Sequence, residues 1–246
     1  MAHDRFHDSA GVPWEGREFS QNQWSDDDGS CPKALAAALE GEINVESVVA
    51  ALRNQRLLVP LLAQLGEGEL GPNGLVVDKS ADLSIVAVST PDGGSAIPVF
   101  SSVASMSRWR PDARPVPVAV DKLALAAVAE GHERLVLDPG SKTVVLRRPA
   151  LAHLAQGLSW SSPSNSAELA SIVAQAVAAF EQVIACKLVD GDPKGELTGP
   201  ELILILKLEP GLNQDQIREL LARFSAVLQT PRFLELVDSV GIRLVS

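Results

Sequence analysis

Apolar residues change period several times along this chain, and each change marks an element. Val45, Val48, Val49 and Leu52 fall at i, i+3, i+4 and i+7, which predicts a helix over 45–54 with one buried stripe, capped by Asn44. The run KALAAALE at 33–40 consists of helix formers and stops at Gly41. LLVPLLAQL at 57–65 reads as a buried strand, which Pro60 pushes toward a sheet edge or a bulge. A Gly-rich loop at 66–74 precedes strand-like LVV at 75–77 and LSIVAVS at 83–89. PDGG at 91–94 supplies a turn, from which SAIPVFSS at 95–102 returns antiparallel. A short helix at 102–109 ends before Pro111, VPVAV at 116–120 is a strand, and KLALAAVAEG at 122–131 is a helix with a Gly stop. RLVLD at 134–138 and TVVLRR at 143–148 form a hairpin around Pro139–Gly140, and a helix at 150–157 closes the unit.

Residues 157–166, GLSWSSPSNS, read as an exposed, extended linker. Asn165 with Glu168 three residues on predicts a capping box for a helix reaching about Phe180. Strands come next at 183–189 and 201–208, then a helix capped by Asn213 and Gln216, a short helix started by Thr230–Pro231, and a strand at 241–246. The expected fold class is α/β (α+β). A mixed sheet flanked by helices fills 31–157, and a second, smaller α+β domain at 166–246 carries a short antiparallel sheet covered by helices on one face.

Composition sharpens the picture. Residues 1–30 form an acidic tail, with seven acids against two bases and half of the formal net charge of −10. That balance repels phosphate backbones and anionic lipid, so neither nucleic acid nor membrane is the expected partner. No apolar run approaches the roughly 18 residues that span a bilayer. No secretory signal is visible, and the two cysteines, Cys31 and Cys186, form no disulfide framework, so a reduced, cytoplasmic protein is expected. Within the tail, Trp14, Phe19 and Trp24 stand five residues apart, which suits an irregular strap docked on a surface, the chain's own or a partner's. The neighbouring acids Asp26, Asp27 and Asp28 are expected in water, with Asp28 or Ser30 free to cap the helix that begins near Pro32.

Candidate chemistry is sparse. Gly66, Gly68 and Gly71 have dinucleotide-fingerprint spacing, but Pro72 and Asn73 stand where a helix N-terminus is needed, and Glu67 and Glu69 oppose phosphate. Asp26–Gly29 has an acidic-loop look, yet Leu35 stands where a calcium loop needs Glu. His3, His7, His132 and His153 show no metal spacing, and no nucleophile elbow exists. No catalytic residue, cofactor or metal is therefore expected. The one basic-aromatic cluster is Arg108, Trp109 and Arg110, with Arg114 beyond. It fits an anion or protein-partner site, or, more ordinarily, a packed indole with its arginines in water.

SAIPVFSSVASMSRW resembles the SseB N-terminal-domain family, named for enhanced serine sensitivity. The resemblance extends back through ALRNQRLLVPLLA and DKSADLSIVAVSTPDGG and forward through RLVLDPGSKTVVLRRPALAHLAQG, covering about residues 33–157. PWEGREFSQNQWSDDDGS is similar to the tail of actinobacterial members, and the C-terminal segment to the second domain of some. Cys31–Pro32–Lys33 departs from the small residue and Asp–Pro expected there. The resemblance implies no catalytic or cofactor residues to carry over. The expectation is a non-catalytic module that binds an unidentified protein partner, at Arg108, Trp109 and Arg110 or through Trp14, Phe19 and Trp24. A small-molecule sensor related to amino acids, with its pocket between the two domains, is the alternative.

Overall fold

The computed structural model describes residues 24, 26–62 and 87–245. The Gly66–Gly71 loop, the strand at 75–77, most of the strand at 83–89, Trp14, Phe19 and the greater part of the strap lie outside the described residues.

The chain runs α1 (Lys33–Ala38), α2 (Val45–Leu52), β1 (Arg56–Leu61), β2 (Val88–Ser89), β3 (Ser95–Val99), α3 (Val103–Trp109), β4 (Arg114–Ala119), α4 (Val120–Ala129), β5 (Arg134–Leu137), β6 (Val144–Arg147) and α5 (Arg148–Ala155). A 3-10 turn at Pro163–Asn165 leads into α6 (Ala167–Ala178), β7 (Val183–Asp190), β8 (Leu202–Leu208), α7 (Gln214–Leu228), α8 (Pro231–Leu236) and β9 (Val240–Val245). The architecture is mixed α/β, as the sequence pattern implies.

The first half holds a four-stranded sheet in the order β2-β3-β5-β6. Its β3 and β5 are parallel, joined by a crossover that contains α3, β4 and α4, while the outer pairs are antiparallel. An antiparallel pair, β1 with β4, connects to it through a bridge between Leu58 and Phe100. Pro60 faces Pro115 in that pair; Leu58, two residues back, exchanges its backbone bonds with Phe100 on the other side, so neither proline's missing N–H falls within the β1–β4 ladder. The core is aliphatic: Leu35, Val48, Leu52, Leu57, Ile97, Leu135, Leu137, Leu146 and Leu151 are all buried in one cluster. Each contributes about 1.5–3 kcal/mol relative to exposure.

The second half has its own core, Leu169, Val173, Leu202, Leu204, Leu206, Phe224 and Phe233 among it, with Phe180 edge-on to Phe224 at 5.5 Å. Its sheet order is β7-β8-β9. Here the structure corrects the sequence reading: β7 and β8 are antiparallel, but β9 runs parallel to β8. Helices α7 and α8 carry the chain back across one face, so β9 starts beside the beginning of β8 rather than its end.

Three further corrections are local. The segment between the halves is not an exposed linker: Trp160 joins the first core, and Ser162 and Pro163 are buried. An indole is too large an apolar surface to stay in water beside an open core. The cap of α6 is Ser166, whose hydroxyl accepts from Leu169 N–H, while Asn165 donates to Glu46 across the halves. Finally, the acids near residue 27 do not all stay in water. Asp27 pairs with Arg56, and α1 begins at Lys33 with Pro32 at its N-cap and no side-chain cap, so neither Asp28 nor Ser30 caps it.

Candidate functional site

Of the candidate binding residues singled out from sequence, the structure describes Arg108, Trp109 and Arg110 at the end of α3, and Trp24. Trp109 packs on Phe100 with ring centroids 5.2 Å apart, beside Leu58 and Met106. It also borders an open groove of about 460 Å³ with Val88, Pro91, Val136 and Pro139. Its arginines have local partners: Arg108 Nε donates to the Ala104 carbonyl, and Arg110 pairs with Asp112, both on the surface. Trp24 lies half-buried beside Pro32, Gln55 and Arg56, its carbonyl accepting from Asp27 N–H. Trp14 and Phe19 lie outside the described residues; among the others, Trp24 lines a different groove from Trp109.

The buried polar groups form two hubs. In the first, Asp138 sits just after β5 in the left-handed region at φ 48°, which Asp tolerates. Its carboxylate accepts from Ser101 N–H at 2.9 Å, Ser101 Oγ at 2.6 Å and Ser105 Oγ at 2.6 Å, fixing the start of α3. Beside it, Arg56 donates to the carbonyls of Ser101 and Ser30, each at 2.6 Å, and to both oxygens of Asp27. The Arg56 hydrogen bonds hold Asp27 below the ordinary carboxylate range. Every strong donor and acceptor here is occupied by another, which is a structural lock.

The second hub joins the halves. Arg147, at the end of β6, is buried, and all its partners belong to the second half: Asp192 at 2.6 Å, the Gly199 carbonyl at 2.8 Å, Ser239 Oγ at 2.9 Å and Asp238 at 3.1 Å. Burial alone would drag its pKa down, but Asp192 and Asp238 outweigh burial and leave it raised. Arg148 donates to the carbonyls of Leu234 and Val237 at the end of α8. The loop after β7 lies along the edge of β6, where Val145 N–H donates to the Gly195 carbonyl. Gly195 has φ +69°, and a Cβ there would come within 3.0 Å of Val45, Val144 and the Val145 carbonyl, so only glycine permits this approach. Under the hub, Glu201 is 6 % exposed and its carboxyl is pushed up to about 7, chiefly by burial. Between the halves remains a cavity of about 20 Å³ lined by Arg147, Trp160, Ser162 and Glu201, room for a water molecule. Ser162 Oγ is buried there without a partner among the described residues.

Among the described residues, the second half also presents a sheet face on which none of its helices packs. Strand alternation places Leu202, Leu204 and Leu206 on the helix side with Cys186, Leu188, Val240 and Ile242, all in or against the core. The opposite side carries Ala185, Lys187 and Val189 from β7, Ile203, Ile205 and Lys207 from β8, and Gly241, Arg243 and Val245 from β9. Val189, Ile203 and Ile205 are half-buried and belong to none of the core clusters. Pro200 leans over the Gly241 end of this face. Register places Ile205 between Lys187 and Arg243 on its two neighbouring strands, with Lys207 two residues on. None of these cations makes an ion pair or hydrogen bond among the described residues.

Sequence reasoning missed both the Arg147 hub and this face, and the face had a signal. A sheet covered on one side calls for strict apolar–polar alternation. Residues 202–206, LILIL, are apolar at every position, so both faces of β8 seek cover.

Among the described residues, no His, Cys, Asp or Glu side chains are grouped to hold a metal ion, and no helix is long and apolar enough to cross a membrane. Residues 32–153 match the family model described as SseB protein N-terminal domain. No curated protein and no solved structure matches the chain.

Proposed function

Residues 32–153 of this chain belong to the SseB protein N-terminal-domain family, and from that premise we propose that the chain is a non-catalytic, cytoplasmic regulatory module that works by binding another protein. The uncovered face of the β7-β8-β9 sheet carries this reading. Apolar side chains at its centre and cations around them make the surface a protein partner covers. The polar hubs support it, since Asp138, Arg56 and Arg147 are spent on holding the fold. The segment at 166–246 takes the place of the second SseB-like domain that some members carry.

The test is affinity capture from the native cell with the full chain and with Ile205→Asp. The reading expects a discrete protein recovered by the first and lost by the second, with Lys207→Glu, an exposed position, giving the same loss without disturbing the fold. Equal recovery by all three chains overturns it.

The second reading is a sensor of amino-acid-related small molecules between the halves. The cleft lined by Arg147, Glu201 and the unpartnered Ser162 hydroxyl favours it in chemistry. Its size does not, because about 20 Å³ admits a water molecule and no amino acid unless the halves part. A metabolite that raises the melting temperature while no partner is recovered would reverse the ranking.

A further inference from the structure

Resting on the docking reading above, we infer that the occupant of the open β7-β8-β9 face is a protein segment that alternates acidic with aliphatic side chains, and that it is not a second copy of this chain.

The charge pattern is the first ground. The chain has a net charge of −10, yet the nine face positions from 185–189, 203–207 and 241–245 hold Lys187, Lys207 and Arg243 and no acid. The nearest acids in sequence at the open end, Glu181 and Glu209, lie beyond the strand ends. Adjacent strands are about 4.8 Å apart and alternate residues about 7 Å apart along a strand. Ile205 is thus ringed on three sides by cationic groups and opens on its fourth side toward Ile203 and Val189. An acidic segment with an aliphatic anchor would place its apolar side chain on Ile203 and Ile205 and its carboxylates on the ring.

The same pattern argues against the alternatives. Two copies meeting through this face would bring three cations against three, with no acid on either to relieve them. Single-stranded nucleic acid stacks its bases on aromatic rings, and this face has none. Three cations on an otherwise anionic chain give little hold on a polyphosphate backbone.

The test pans a phage-displayed library of random twelve-residue peptides on the full chain, on Ile205→Asp, and on the triple variant Lys187→Glu, Lys207→Glu, Arg243→Glu. All three triple-variant positions are exposed, so its fold is checked simply by circular dichroism. The inference expects Asp- and Glu-rich peptides with interspersed Ile, Leu or Val. Their binding should fall at least tenfold on either variant, weaken roughly tenfold as salt rises from low to several hundred millimolar, and the triple variant should instead select Lys- and Arg-rich peptides. Selected peptides that depend on Ile205 but show no acidic bias overturn this inference and leave the docking reading standing. Peptides indifferent to both variants, or no enrichment at all, overturn the two together. A dimer in sedimentation that Ile205→Asp dissolves, or single-stranded DNA that competes with the peptides, also overturns the inference.

Discussion

The guanidinium of Arg147 donates four hydrogen bonds from the first half to the second, two of them to carboxylates that are themselves buried. Removing it leaves Asp192 only the backbone N–H groups of Glu196 and Leu197 and Asp238 only the longer Arg134 contact, and breaking a buried pair from one side typically costs about 3–5 kcal/mol. Arg147→Met is expected to lower unfolding free energy in urea by that order, with Arg147→Lys in between because an ammonium cannot span all four acceptors. A loss well below about 1 kcal/mol would mean that water replaces the clamp. Glu201 gives a pH dependence of definite sign. Its carboxyl titrates at about 7 when folded against 4.5 ordinarily, so between those values the folded state holds a proton the unfolded state lacks. Stability from this site therefore falls as pH rises from 4.5 to 7 and is flat beyond. Glu201→Gln keeps an acceptor for the Asp238 N–H and cannot ionise. Melts are expected to show it more stable than the native chain by on the order of 2–3 kcal/mol at pH 8, with the gap closing by pH 5; a gap constant across pH would contradict this. Caps were the most legible single residues: Asn44, Asn213 with Gln216, and Thr230 all accept where their positions predict. Asn165 was not, because the chain found a better acceptor in Ser166 and gave the amide a partner in Glu46. Arg147 was illegible, since a buried arginine looks like any other until its acceptors, 45 and 91 residues away, are brought to it.

Elements with a strong period were read nearly as they stand. The helix at Val45–Leu52 and the strand at Arg134–Leu137 differ from expectation by one or two residues. What failed depended on partners distant in sequence. The direction of β9 is set by the path of α7 and α8, not by its own six residues. The Ser-rich stretch at 157–166 looked solvated because seven of its ten residues are Ser, Gly or Asn, yet one indole decides its path. Trp160→Ala is expected to cost about 3 kcal/mol as the first core loses a large side chain. Limited proteolysis of the folded chain should spare 160–163; prompt cleavage there would show that the indole does not hold the segment. The one-sided sheet makes its own contrast. Leu204→Ala opens the second core and is expected to cost about 2–5 kcal/mol, whereas Ile205→Ala, one residue on but facing outward, should cost about 1 kcal/mol or less. Equal costs would mean that something in the free chain already covers the outer face.

At the scale of the molecule, two cores are held together by Arg147, Arg148, the strand-edge contact at Gly195 and the Asn165–Glu46 bond. The same loop that Arg147 grips, from Asp192 to Gly199, leads into Pro200, which leans on the end of the open face. The first half, the SseB-family part, thereby sets the border of the surface on which the second half would receive a partner. Fold class was legible because both halves alternate helices and strands in strongly patterned runs. The docking face was half-legible, in the unbroken LILIL of β8, and its ring of cations emerged only when register set Lys187 and Arg243 beside Ile205. Site-specific photo-crosslinking in the native cell puts the docking face to its most direct trial. A benzoylphenylalanine in place of Ala185, exposed on the face and leaving its three cations intact, is compared with one in place of Arg218, exposed on the helix side. A partner seated on the face predicts one discrete protein adduct from position 185 that position 218 does not form. The same adducts from both positions, or none from position 185, would contradict it.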